Sequence, residues 1–251
     1  SFNLGWFPSG GASSPGLAYT SNWQRIFSLD YVQHLALPVI TLALYLQGLL
    51  EGLTALERQG WQVHRVGVDG EGVALLAELE QAVDAGTALV TLMHSNNETG
   101  SLQPVERAVV LARSVGAVVH TDAAQSVGKV PIDVRALGVD LLSVAGHKLY
   151  APKGVGALFV RQSVKLEPFV RGAGHERGLR PGTENVASIV GLGVAASLAQ
   201  RELGASQARL WSLTRLLHER LVAEVPTLSL NGHPTQRLPN TLNVRFPGVS
   251  G

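Results

Sequence analysis

SVAGHKLYAPKGVGALFV, residues 143–160, is the stretch on which the fold turns. An apolar strand pattern runs into His147-Lys148, then a Pro152-Lys153-Gly154 turn, then a second strand pattern. A lysine at the end of an apolar strand, wrapped in small residues, has two readings. It is a snorkelling residue whose stem lies along apolar surface. Or it is an amine in a dry pocket, where its proton affinity falls and it becomes nucleophilic. Lys153 lies within the turn and reads as solvent-exposed, so Lys148 is the preferred lysine.

On either side, short apolar strands alternate with helical patterns. WQVHRVGV (61–68), TALVTLMHS (87–95), AVVHTDAA (117–124), VDLLSVAG (139–146) and VGALFV (155–160) read as strands. LLEGLTALERQG reads as a helix ending at Gly60, a residue that tolerates a left-handed cap. VALLAELEQAVDAG sets Leu75, Leu76, Leu79 and Val83 on one helical side, and VERAVVLARSVG (105–116) is a further helix. The alternation predicts an α/β domain with a mostly parallel sheet, whose chemistry gathers at the carboxyl ends of its strands. Residues 183–224 read as two helices broken near Gly204, the second with Leu210, Leu213, Leu217 and Leu221 at helical spacing. NTLNVRF (240–246) is strand-like.

Composition narrows the classes. The 251 residues are 45% apolar and 16% charged, which describes a globular chain of one large or two small domains. Lys and Arg (20) nearly balance Asp and Glu (19), so nothing points to nucleic acid as a partner. There is no cysteine, hence no disulfide framework and no thiolate metal site. No basic-then-apolar leader is visible, and a cytoplasmic location is expected. The uncharged run at residues 35–46 is short of the about 20 residues a membrane span needs. Stable insertion is therefore not expected, and the run reads as a buried helix or strand, or as the cut end of a membrane segment. Residues 1–47 have a different texture: a Gly-, Ser- and Pro-rich opening, Trp6 and Trp23, and no strand–helix alternation.

Polar clusters follow the strand patterns. HSNNETG (94–100), HTDAAQS (120–126) and AGHK (145–148) sit at strand ends, and GAGHERGLRPGTEN (172–185) is a loop entering a helix at Thr183. Asp122 is either a helix N-cap or a buried carboxylate, which needs a cationic partner to offset its desolvation. Asn97 and Gln125 are turn residues or donors to a phenolic oxygen. His147, Ser126 and Thr183 are candidate phosphate contacts, and Thr183 is also a plausible N-cap, compatible with anion binding at a helix start. No H-E-x-x-H metal spacing, G-x-S-x-G elbow or glycine-rich phosphate fingerprint occurs. One lysine, one carboxylate on the preceding strand, ring-oxygen donors and phosphate donors are the set that pyridoxal 5'-phosphate requires.

From about residue 48 to 251 the chain resembles a cysteine desulfurase, in the class-V aminotransferase family of fold-type I pyridoxal-phosphate enzymes. The resemblance lies in MHSNNETGSLQPV, VHTDAAQSVGKVPIDV, GVDLLSVAGHKLYAPKGVGALFVR, GAGHERGLRPGTENV and LPNTLNV. It implies that Lys148 carries the cofactor covalently and that Asp122 pairs with the pyridine nitrogen. Gln125 and Asn97 would serve the phenolic oxygen, with Asn97 also near the substrate carboxylate. His147 would bind phosphate, and Thr183 would reach the phosphate of a neighbouring subunit, which implies a homodimer. The implied substrate is L-cysteine, giving L-alanine and an enzyme persulfide whose sulfur passes to an acceptor or scaffold protein for iron–sulfur clusters or tRNA thiolation. An aminotransferase or a selenocysteine lyase of the same fold is the alternative, and a non-catalytic fusion fragment a further one.

Three departures accompany the resemblance. The persulfide cysteine and the substrate-carboxylate arginine of the family lie beyond the segment resembling NTLNVRFPGVSG, so this chain is expected to be a fragment inactive as a desulfurase. Ala145 stands where many relatives have a phosphate-binding serine. Residues 1–47 do not resemble the family: Leu46 aligns with its cofactor-stacking histidine, and its N-terminal phosphate loop is missing. Through LGWFPSGG and DYVQHLALPVITLAL they resemble a peptide/nickel-type transporter permease instead. The expected organisation is a foreign segment at 1–47, a partial cofactor-binding large domain at 48–203, and the start of a small C-terminal domain at 204–251.

Overall fold

The computed structural model describes residues 39–42 and 47–248, with side chains from Gly52 onward. Expectations about Trp6, Trp23 and Leu46 lie outside the described residues. Six strands form one sheet: β1 (Val39–Leu42), β2 (Val63–Val66), β3 (Leu89–Met93), β4 (Val118–Asp122), β5 (Leu141–Ala145) and β6 (Gly156–Val160). Their spatial order is β2-β1-β3-β4-β5-β6. Every pairing is parallel except that of β5 with β6. Helices α1 (Gln47–Arg58), α2 (Leu76–Ala82), α3 (Val105–Ser114) and the short α4 (Val134–Leu137) make the crossovers between parallel strands. This is the α/β architecture with a mostly parallel sheet that the alternation predicts.

The first difference concerns β1. It falls in the uniformly apolar run 35–46, where no alternation separates strand from helix, and it pairs with both β2 and β3. Strands inside parallel sheets commonly read as continuous apolar runs, which periodicity cannot tell from a helix, so the run left helix and strand both open. The second difference is a correction. Residues 183–224 do not form two helices: α5 (Val186–Glu224) runs unbroken through Gly204. A single interior glycine costs only about 1 kcal/mol, and both halves of α5 are held by packing. Ala195 joins Leu149 and Ala151 in a small core. Farther along, Thr214 Oγ1 donates to the Pro239 carbonyl at 3.1 Å, and Arg237 lies over the Trp211 ring at 4.9 Å.

Helix α5 is also the one described helix long and apolar enough to cross a membrane by length and composition. Its uncharged part, residues 186–200, ends at Arg201, short of the about 20 residues of a span. Strands β7 (Ser229–Asn231) and β8 (Asn243–Arg245) form a separate antiparallel pair after α5.

The main core lies between α3 and the sheet. Val105, Ala108, Val109 and Ala112 bury against Val90, Leu92, Val119 and Leu142. Because side chains alternate along a strand, Val119 and Thr121 of β4 take this core face. His120 and Asp122 therefore take the other.

Candidate functional site

Strands β3, β4 and β5 end side by side. Met93 is in register with Asp122, and Asp122 with Ser143. The polar clusters leave the sheet together from that edge. Asn97 lies four residues beyond β3, Asp122 is the last residue of β4, and Gln125 follows in the next turn. His147 and Lys148 occupy a 3₁₀ turn, Gly146–Leu149, directly after β5. Five of the six expected site residues therefore share the carboxyl edge of three adjacent strands. Thr183 is exposed on the loop before α5 and does not belong to that edge.

Glycine shapes the lysine's position. Gly146 is buried, and its N–H donates to the Val155 carbonyl at 3.0 Å. A Cβ at Gly146 would stand 2.5 Å from that same oxygen, so only glycine lets the turn close against the start of β6. Tyr150 closes the turn at φ 64. Lys129 Nζ donates to the Lys148 carbonyl at 3.0 Å, which ties the turn to the segment after β4. Burial, and then the charge of Lys148, push the Lys129 amine below its ordinary range. Lys148 itself is half-buried and Lys153 exposed, as the sequence suggests. Both Lys129 and Lys148 line a cavity of about 380 Å³ against Ala195, Leu198 and Arg209 of α5.

Asp122 caps no helix. Its Oδ1 accepts from the Ala124 N–H at 2.8 Å, an Asx-type turn, and its carbonyl accepts from His94 N–H at 2.8 Å. Among the described residues the second carboxylate oxygen has no such tie, and it can face a ligand. Two further expectations are corrected. Ser126, a candidate phosphate contact, is fully buried with its hydroxyl 2.7 Å from Ser95 Oγ, tying two loops together. Thr183 is not the N-cap of α5: Asn185 fills that role, its Oδ1 accepting from Ser188 N–H at 3.2 Å.

Sequence reasoning missed the residues that hold the loops. Asn96 Oδ1 accepts from Glu98 N–H, Thr99 N–H and the Thr99 hydroxyl, which folds HSNNETG and places Asn97. Ser101, fully buried, donates to the Glu71 carbonyl at 2.6 Å and accepts from His233 N–H at 2.9 Å. The Leu238 N–H also donates to the Gly100 carbonyl at 2.9 Å. The Asn97 loop is thus strapped to a segment beyond α5. The two adjacent asparagines in HSNNETG were the available signal for the first of these. No local signal marks the others.

His94 and His120 carry the pH response. Burial pushes both imidazoles below their ordinary value of 6.5, opposed by Glu106 at His94 and by Asp122 at His120. Below that value the unfolded chain binds protons that the folded chain refuses, so stability is full above it and is lost as pH falls. The urea midpoint is expected to drop between about pH 7 and pH 5, before most carboxylates titrate. An unchanged midpoint over that window would contradict the assignment.

The donor set suits pyridoxal 5'-phosphate: a primary amine, a carboxylate with one free oxygen, two amides and a histidine on one sheet edge. Among the described residues no cluster of side chains could hold a metal ion. Comparison with known proteins agrees. The class-V aminotransferase family matches residues 47–251. "Cysteine desulfurase 2" of Trichormus variabilis is 45% identical over 196 residues, covering 78% of this chain and 49% of that protein. "Cysteine desulfurase IscS" of Methanosarcina thermophila is 40% identical over 251 residues, covering 98% of this chain and 59% of that protein. Among solved structures, a NifS-like protein superposes with a TM-score of 0.78 at 36% identity, covering 90% of this chain and 60% of that one. DndA from Streptomyces lividans gives 0.76 at 35%, covering 87% and 62%. The chain spans about half the length of the cyanobacterial relative. Pyridoxal 5'-phosphate is the cofactor of class-V aminotransferases and cysteine desulfurases. By sequence over four-fifths of its length, and by fold, this chain belongs to the class-V aminotransferase family.

Proposed function

We propose that this chain is the cofactor-binding core of a cysteine desulfurase-type enzyme, one that takes sulfur from L-cysteine, leaves L-alanine and passes the sulfur to an acceptor. The observation that carries this reading is the shared edge of β3, β4 and β5, with Asn97, Asp122, Gln125, His147 and Lys148 on it. When bound, pyridoxal phosphate supplies an electron sink for bonds at the α-carbon of an amino acid. The residues supply the rest. Lys148 Nζ would be the covalent anchor and a group able to hold or release a proton there. The free oxygen of Asp122 would pair with the pyridine nitrogen and favour its protonated form. Asn97 and Gln125 would donate to the phenolic oxygen, and His147 to phosphate.

Exposed Val186, Ile189, Val190 and Val194 on α5, with fully exposed Phe169, support a second copy of the chain against this face. Thr183 stands just before it, as a residue serving a partner's phosphate would. Sedimentation at twice 26.5 kDa checks the dimer. A cytoplasmic location belongs to the same reading, as does the division into a large unit at 48–203 and a smaller one from 204. The permease likeness of residues 1–47 has two observations against it: β1 sits inside the sheet, and the Methanosarcina alignment runs over nearly the whole chain.

The 251 residues contain no cysteine, so no thiolate is present among them to take sulfur. The chain is expected to turn yellow with pyridoxal phosphate, and to release no alanine from L-cysteine in repeated turnovers. A colourless mixture would refute the cofactor site; sustained alanine release would refute the inactivity.

A further inference from the structure

One titratable group on the ligand face of β4 has no role in the reading above. His120 precedes Asp122 by two residues and points to the same side of the sheet. Its Nδ1 lies 2.7 Å from Thr91 Oγ1 on β3, and its Nε2 lies 2.9 Å from Ser143 Oγ on β5. The imidazole thus bridges both strands that flank β4. Ser143 is also the register partner of Asp122 itself. Both hydrogen bonds can form with a neutral ring, one nitrogen donating and the other accepting. Burial holds the ring in that neutral form, and Asp122 is the charged group acting on it.

We propose that His120 is a positioning residue: a hydrogen-bonded strut from Thr91 to Ser143 that fixes where Asp122 presents its free oxygen to the cofactor's pyridine nitrogen. The proposal rests on the cofactor reading above. Backbone ladders fix the heights of the three strands. They do not fix side chains on this face, where the ring links β3 to β5 at the level just beneath Asp122. With the ring in place, the Ser143 hydroxyl is engaged away from the carboxylate. The carboxylate then keeps its tie to the Ala124 N–H at 2.8 Å. A filler of the same size without polar atoms would release Ser143 and the turn that orients Asp122.

The test compares His120→Leu, His120→Gln and His120→Asn. Glutamine offers one donor and one acceptor at nearly the spacing of the ring nitrogens; asparagine is too short to reach both strands. Two readouts are taken: cofactor affinity from titration of the visible band, and hydrogen exchange at the Ala124 amide in the cofactor-free chain. His120→Leu is expected to bind the cofactor about tenfold more weakly, the size of effect expected when supporting hydrogen bonds to a buried polar site are lost. Its Ala124 amide should exchange faster. His120→Gln should restore both readouts, and His120→Asn should not. If leucine prevents folding, the glutamine–asparagine contrast decides alone. Parent-like affinity and Ala124 exchange in both leucine and asparagine variants would overturn the proposal. If the parent itself stays colourless, the cofactor reading fails, and Ala124 exchange still decides whether the strut exists.

Discussion

Replacing Lys148 by alanine is expected to abolish the visible absorbance that the chain acquires with pyridoxal phosphate. The effect should be complete, because the band reports a covalent bond to an amine and no other amine on this edge is free to form it. Lys129 is the nearest rival and lines the same cavity, but its Nζ donates to the Lys148 carbonyl. Lys153 lies exposed in the turn beyond Ala151. It can give only a weak, exchangeable adduct of the kind any surface lysine forms. Borohydride reduction before digestion should place the label on the peptide containing Lys148 and nowhere else in comparable yield. A Lys148→Ala chain that keeps the parent's band, or a label found mainly on Lys129 or Lys153, would remove the lysine from its role. Asp122→Asn should behave differently. It keeps the anchor and the Asx-type turn but loses the negative charge at the ring nitrogen, so the band should remain while binding weakens.

The sequence made this site legible for a physical reason. In a parallel sheet the polar residues that follow each apolar run all leave from one edge, so three separate clusters in the chain become neighbours once the runs are accepted as parallel strands. Asn97, Asp122, Gln125, His147 and Lys148 could therefore be named without coordinates. The supports could not. Ser101 meets His233 across 132 positions, and His120 meets Thr91 and Ser143 across 29 and 23. Serines, threonines and histidines at such separations carry no local pattern, and their hydroxyls and rings look like ordinary turn or strand residues. Strand β1 and the continuity of α5 were hidden in the opposite way. Uniform apolarity at residues 35–46 gives no period to read, and Gly204 imitates a break that packing overrides.

Gly146→Ala is expected to be strongly damaging, although alanine is ordinarily the more favourable residue. Two effects compete. Alanine restricts the unfolded chain and so tends to stabilise, by about 0.4–1 kcal/mol where the native backbone accepts it. Against this, the added Cβ would stand 2.5 Å from the Val155 carbonyl oxygen and 3.0 Å from Val155 Cγ1. The first of these is backbone, and that same oxygen accepts the Gly146 N–H, so it cannot move aside without breaking the bond that closes the turn. Overpacking of this kind costs about 1–3 kcal/mol, and the clash wins. Gly52→Ala supplies the control. It lies in α1 with nothing within 4 Å of its would-be Cβ, and alanine there should raise stability by about 0.5–1 kcal/mol. The two variants should therefore shift the urea midpoint in opposite directions. Only Gly146→Ala should also weaken the cofactor band, because His147 and Lys148 follow directly on the displaced residue. A midpoint for Gly146→Ala at or above the parent's, with an undiminished band, would show that the turn relaxes freely. The small residues around Lys148 would then not be what holds it in place.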